Sequence, residues 1–458
     1  MEKYIGNKKF YKMVLAIAVP IIIQNGITNF VSLLDNIMVG RIGTEEMSGV
    51  AIVNQLLFVF NVSIFGAVSG ASIFGAQFFG NKNYKGMRDS YRFKFISVLL
   101  VTVISISLFI LFGRNLISLY LHEGSSTGDI EKTLIYGEKY LRVMLWGLIP
   151  FAINQAYSSS LREMGQTLLP MVSGIAAVLV NLTFNYFLIF GKLGFPALGV
   201  EGAAIATVLS RYVELSITAL WTHINRKDIP FIRGAYKSLR IPKDLTGKIL
   251  LKGLPLMANE FFWSGGMATL TQCYSVRGLD VIGGLNIAST ISNVFNVIFI
   301  ALGGSISVIV GQLLGAGKME EARDTDRKLI FFSVSMCVIV GGIMAMLSSV
   351  FPSIYNTTEE VKKLASSFIV IASLCMPLHA FMHATYFTLR SGGKTVITFL
   401  FDSGYVWLIN IPLAFILTRF TNFNIIAIYL SCQLIEIVKC VIGYILVKKG
   451  VWLQNIVE

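Results

Sequence analysis

Apolar windows of twenty or more residues recur at about 13–39, 50–79, 94–113, 134–159, 167–190, 198–222, 254–275, 284–314, 329–351, 363–388, 395–418 and 424–447. These twelve runs constrain the fold more than any motif. In hydrocarbon every backbone N–H and C=O must be satisfied inside its own segment, and a run of this length does so as a helix. With 55% hydrophobic residues, 14% charged residues and a mean hydropathy of +0.70, soluble folds are excluded and an all-α membrane protein is expected.

The net charge of +13 would point to nucleic acid in a soluble chain. Here the basic residues lie in short loops between apolar runs, where they set topology, so no nucleic-acid partner is expected. Loops on the side of the N-terminus hold 26 Lys and Arg and the opposite loops hold eight, which places both termini in the cytoplasm. The four lysines Lys3, Lys8, Lys9 and Lys12 precede a long run holding Asp35 and Asn36 with no small-residue cleavage site, so the run reads as a retained first helix.

Residues 20–92 recur at 255–327 with a constant offset of 235 and no gap. Fourteen of 73 positions are identical, among them Pro20/Pro255, Gln77/Gln312, Gly80/Gly315, Arg88/Arg323, Asp89/Asp324 and Arg92/Arg327. A second pair, Ser160 to Thr167 and Thr388 to Thr395, keeps Leu, Arg, Gly and Thr at an offset of 228. The second half has therefore lost seven residues, placed in the polar stretch between Leu121 and Tyr136 of the first. The chain reads as a duplication of six spans, and an even number of spans per half makes the halves parallel repeats. Expected boundaries are a first lobe over 1–225, a basic cytoplasmic linker over 226–253, read as a solvated connector, and a second lobe over 254–458.

The halves carry unequal acids. Asp35 aligns with Leu270, and Glu260 aligns with Asn25. Ten helical residues separate the two positions, roughly 15 Å along the axis, so each half holds its own polar site. On the first span Gln24, Thr28, Ser32 and Asp35 recur every three or four residues, a face that cannot meet lipid. Asp35 therefore lies inside the bundle, as a coupling group or as a static cap near Gly40. Pro20 interrupts the same span and predicts a bend; at Pro255 a helix-entry role is the equal alternative.

On the fifth span Asn181 and Asn185 stand one turn apart, able to ligate a cation, bond Asp35 or pack helices. Asn154 and Gln155 follow Pro150 on the fourth span and point to the same cavity. On the seventh, Glu260 has Asn259 beside it and Ser264 one turn on. Glu214, Asp402 and Glu436 are read as structural partners of nearby polar or basic residues, including Arg211 and Lys439. His379 and His383 share a helix face without a third ligand in sequence, so no metal site is expected. Cys273, Cys337, Cys375, Cys432 and Cys440 read as packing residues. Motifs for nucleotide, peptide or ester hydrolysis are absent, and no cofactor is expected.

Asp35-Asn-Ile-Met-Val-Gly40, Gly75-Ala-Gln-Phe-Phe-Gly80, Val310-Gly-Gln-Leu-Leu-Gly315 and Pro255 to Glu260, in this order on a 6+6 repeat, resemble the MATE (multidrug and toxic compound extrusion) family of bacterial DinF/NorM-like antiporters. The resemblance covers almost the full chain. It implies a monomer in the bacterial cytoplasmic membrane exporting amphipathic or cationic compounds by alternating access of two lobes, driven by H+ or Na+. It also implies a first-lobe cation site of Asp35, Asn181 and Asn185 with a bend at Pro20, and a second-lobe acid at Glu260. Some relatives carry an acid where Asn185 stands, and a tenth-span acid of Na+-coupled relatives has no counterpart between Leu364 and Leu389. H+ is favoured, because one enclosed carboxylate suffices for a proton whereas Na+ needs several oxygens. The alternatives are a lipid-linked oligosaccharide flippase, expected to line its cavity with several Arg, and more remotely a membrane-embedded enzyme using Asp35, Glu260 and the His pair.

Overall fold

The structure, a computed structural model, describes residues 4–121 and 129–458, and of Ser32, Leu33, Asn36 and Ile37 it describes the backbone alone. The first half folds as α1 (Lys8–Gly40), α2 (Thr44–Gly80), α3 (Tyr84–Ser118), α4 (Ile130–Glu163), α5 (Leu168–Phe190) and α6 (Val200–Ile224). The second half folds as α7 (Lys243–Ser275), α8 (Leu279–Gly315), α9 (Met319–Met346), the short α10 (Val350–Ser353) and α11 (Glu359–Ser391). Two composite rods complete it: α12 (Thr395–Phe399) runs through wide π-helical turns at Leu400–Gly404 and Val406–Asn410 into α13 (Ile411–Phe420), and α14 (Ile425–Leu434) runs into α15 (Glu436–Lys449). Among the described residues, ten of the twelve rods are apolar enough to cross a membrane by length and composition. The other two, α4 and α7, are as long, but polar residues interrupt their apolar stretches, including Arg142, Asn154 and Gln155 in α4 and Asn259 and Glu260 in α7.

Local chemistry sets the helix starts. Asn83, Asp129, Thr358 and Asn424 cap α3, α4, α11 and α14 by accepting from first-turn N–H groups. The backbone N–H of Lys132 holds the exposed Asp129 carboxyl below the ordinary carboxylate range.

The chain forms two compact units. One comprises Met1–Ile22, Ala76–Lys82 and Leu250–Glu458, the other Ile23–Gly75 and Asn83–Ile249. These do not follow the expected lobe boundaries. The start of α1 counts with second-half residues because Val14, Ile17, Ala18 and Ile21 pack into a core with Ala301, Leu302 and Ile306 of α8. The change of unit falls at Ile22/Ile23, two residues beyond the buried Pro20, and α1 continues through it to Gly40. The linker also departs from a solvated connector. Ile229, Phe231, Ile232 and Ala235 are buried, and Arg92 donates to the carbonyls of Ala235 and Gly234 at 2.8 and 2.9 Å. Tyr236 Oη lies 2.6 Å from both Tyr91 Oη and Tyr157 Oη. An Ile-Pro-Phe-Ile segment inside a basic stretch gave the linker an apolar face to bury.

The shared Gln and Gly of the repeat have a geometric task. At Gly80 an added Cβ would meet the backbone of Gln312, and at Gly315 it would meet the backbone of Gln77. The two helix ends cross so closely that only glycine fits. Gln77, fully buried, then holds the end of the chain: its Nε2 donates to the carbonyls of Ser391 (2.9 Å) and Gln454 (3.2 Å), and its Oε1 accepts from Ile456 N at 2.9 Å. Trp452 is buried beside it. Gly315→Ala is expected to cost about 1–3 kcal/mol, the usual cost of overpacking, because backbone cannot swing aside as a side chain would. Denaturation in detergent followed by circular dichroism measures it, and a variant as stable as the parent would contradict the close crossing.

Candidate functional site

In the first-half unit, α1 and α5 bring three of the expected residues together. Asn185 Nδ2 donates to Asp35 Oδ1 at 2.5 Å, and Asn181 lies one turn away, 3.2 Å from Thr207 Oγ1 on α6. Asn181 and Asn185 are buried and Asp35 is half-buried. The Asn181 amide has two orientations with different chemical meaning. With Nδ2 toward Asp35 it donates to Oδ1 and Oδ2 at 2.9 and 3.2 Å, while its Oδ1 accepts from Thr207 at 3.2 Å; this suits an ionised carboxylate. With Oδ1 toward Asp35 it accepts from Asn185 Nδ2 at 3.1 Å and presents an acceptor that suits a protonated acid. Asn185 Oδ1 is buried without a hydrogen-bond partner. Thr207 was missed in sequence, since a lone Thr on an apolar helix carries no signal.

Gln24, Asn154 and Thr28 have partners other than Asp35. Gln24 Oε1 accepts from Arg162 Nη2 at 2.8 Å. Asn154 is buried and hydrogen-bonds Glu214, whose charge also meets Arg162 and Arg211. Thr28 is exposed and returns its hydroxyl to the Gln24 carbonyl at 2.8 Å, so it belongs to the helix backbone and not to the cluster. Gln155 is half-buried. The Ser32 side chain lies outside the described residues. Lys94, read from sequence as a loop charge, is fully buried against Glu163 Oε1 at 2.5 Å.

The second-half unit holds a broader network. Glu260 hydrogen-bonds Tyr386 and stands in the field of Arg390 and Asp402. Its neighbour Asn259 is buried; it donates to Asp402 Oδ2 at 3.1 Å and accepts from Ser403 Oγ at 2.7 Å. Lys439 Nζ donates to Asp402 Oδ1 at 2.9 Å and lies over the rings of Phe401 and Tyr405 at 5.2 and 5.8 Å. Lys439 thus reaches across to Asp402 on the neighbouring rod, while Glu436, one turn away on its own rod, accepts from Asn410. Ser264 is half-buried. His379 Nε2 meets Gln433 Oε1 at 3.0 Å and the His383 ring packs on Phe299 at 4.7 Å. Among the described residues no three His, Cys, Asp or Glu group to hold a metal.

Twelve long helical rods among the described residues, with carboxylates and carboxamides enclosed in each half, are the architecture of a polytopic membrane protein, and the families it matches make it a transporter. The MatE family model matches residues 20–187 and 255–416, starting each time at the repeated proline. The chain belongs to the MatE family. It is 24% identical over 445 residues to a probable multidrug resistance protein NorM of Thermotoga maritima, covering 96% of this chain and 93% of that one. It is 25% identical over 427 residues to the multidrug resistance protein MdtK of Yersinia pseudotuberculosis, covering 91% and 89%. The fold matches a multidrug resistance MATE family transporter of the MOP superfamily in an outward-facing conformation, with a TM-score of 0.86 at 18% identity over 98% of this chain and 97% of that one. It also matches the Vibrio cholerae MATE transporter VcmN at 0.87 and 15% identity, over 98% of each chain.

Proposed function

We propose that this chain is a proton-coupled exporter of amphipathic and cationic compounds, working by alternating access in a bacterial cytoplasmic membrane with both termini inside. The observation that carries the reading is the enclosed Asp35 with Asn181, Asn185 and Thr207 about it. A single carboxylate surrounded by amides that serve either protonation state by turning over can load and release a proton without a large rearrangement. The multidrug names of the relatives support the substrate class. Glu260, with Tyr386 and Arg390 nearby, is the second acid of the cycle, and the aromatic and Met side chains supply an adaptable cavity wall.

Sodium is the second reading, favoured by one observation: Asn185 Oδ1 is a buried acceptor without a donor, on the same amide whose Nδ2 donates to Asp35. Proteoliposomes separate the two. In sodium-free buffer an imposed pH gradient is expected to drive export of a cationic dye, and Asn185→Ala is expected to slow it without abolishing it. Export that is absent until Na+ is added at zero pH gradient would overturn the proton reading and make the same cluster a sodium site.

A further inference from the structure

Three neighbouring spans of the second-half unit lose regular geometry around one acid. Pro377 lies inside α11, two residues before His379. The eleventh span widens into π-helical turns that end at Asn410, just before Pro412, which has no N–H to give and crowds the preceding turn. The twelfth span is interrupted at Ile435, whose carbonyl accepts from both Tyr405 Oη (2.6 Å) and Val438 N (3.0 Å), and Glu436 opens the next helical stretch. Discontinuous spans with such local departures are where membrane proteins build ion sites.

These departures put Asn410 and Glu436 side by side. Asn410 Nδ2 donates to Glu436 Oε1. The two remaining oxygens, Glu436 Oε2 and Asn410 Oδ1, are both fully buried acceptors without a donor, and Asn410 as a whole is 5% exposed. A planar acid and a planar amide already joined by one N–H···O bond are the components of a cyclic hydrogen-bonded pair. A proton on Oε2 would give this acid a donor to turn toward the amide oxygen, closing a pair in which the amide donates to the acid and the acid donates to the amide. Leaving two buried acceptors unmatched otherwise costs stability.

We propose that Glu436 and Asn410 form a further proton-binding site, a carboxylic acid–carboxamide pair between the eleventh and twelfth spans. The groups facing it are Cys375 and His379 from α11, Tyr405 from the eleventh span, Cys432 from α14, and Lys439 and Cys440 from α15. None of them is bound to Glu436 as an ion pair. Lys439 is held by Asp402, His379 meets Gln433, and the Tyr405 hydroxyl is spent on Ile435. The amide is thus the direct polar partner that the described residues show for this acid. Use of the site in export rests on the proton-coupled reading above, whereas the site itself does not.

Infrared difference spectroscopy of the purified protein in vesicles, comparing acidic with alkaline buffer, tests the site without measuring transport. The expected spectrum contains the carbonyl stretch of a protonated carboxylic acid, lost in Glu436→Gln. Gln preserves the shape, since its amide nitrogen donates to Asn410 Oδ1 where the acid did. Asn410→Leu guards against a misfolded variant: it keeps the acid but removes the donor to its carbonyl, so the band should persist and move to higher frequency. Retention of every protonated-acid band in Glu436→Gln, or an unchanged band in Asn410→Leu, would overturn the proposal. Failure of pH-driven export with the band present would overturn only the coupling reading.

Discussion

Asp35→Asn should reduce pH-driven dye export to the level of empty vesicles while leaving the purified protein monodisperse and fully helical. The geometry explains why the two readouts part. Asn keeps an acceptor for Asn185 Nδ2, now 2.5 Å from Asp35 Oδ1, and its own amide can donate to Asn181 in the orientation that presents Oδ1. Packing and hydrogen bonds survive, and what is lost is the ability to take up and release a proton. Glu260→Gln should slow export less completely, because the first-half cluster is untouched. Export by Asp35→Asn at the parental rate would remove the coupling role from this residue. A silent Asp35→Asn beside a dead Glu260→Gln would transfer that role to the second half.

Much of this arrangement is legible in the chain before any coordinates. The apolar runs dictate the helices, and the offset of 235 predicts that Gln77 and Gln312, Gly80 and Gly315 do equivalent work, which the close crossing explains. Asn181 and Asn185 reach Asp35 because a one-turn spacing fixes their common face. What is not legible is tertiary. Glu436 and Lys439 are one turn apart and read as a pair, yet the π-helical turns in the preceding span offer Lys439 a better partner in Asp402 and leave Glu436 to Asn410. Gln24 and Thr28 share a periodic stripe with Asp35, but a helix face is broad enough for Gln24 to meet Arg162 while Thr28 is exposed. The linker's few apolar residues were outweighed by its basic ones in composition, although burial depends on the apolar few.

Lys94 marks the same limit most sharply, and its replacement carries the largest expected loss of stability. At the start of an apolar run, after Lys82, Lys85, Arg88 and Arg92, it reads as one more loop charge. In the structure it is fully buried, with Nζ at 2.5 Å from Glu163 Oε1, 2.9 Å from Ser160 Oγ and 3.1 Å from Ser159 Oγ. Gly75 makes room for the pair, since a Cβ there would run into the Glu163 carboxylate. Three acceptors saturate the ammonium, and Ser159 also donates to the carboxylate at 2.9 Å. Lys94→Ala leaves that carboxylate enclosed without its counter-charge, and breaking a buried pair in this way costs about 3–5 kcal/mol. Lys94→Met with Glu163→Leu should recover much of the loss, because taking both charges away removes the uncompensated one and refills the space with apolar atoms. Denaturation of the parent, Lys94→Met, Glu163→Leu and the double variant gives the coupling energy directly. If Lys94→Ala unfolds at the same denaturant concentration as the parent, the pair does not hold α3 to α4. If the double variant is no more stable than Lys94→Met, the loss does not come from the stranded charge.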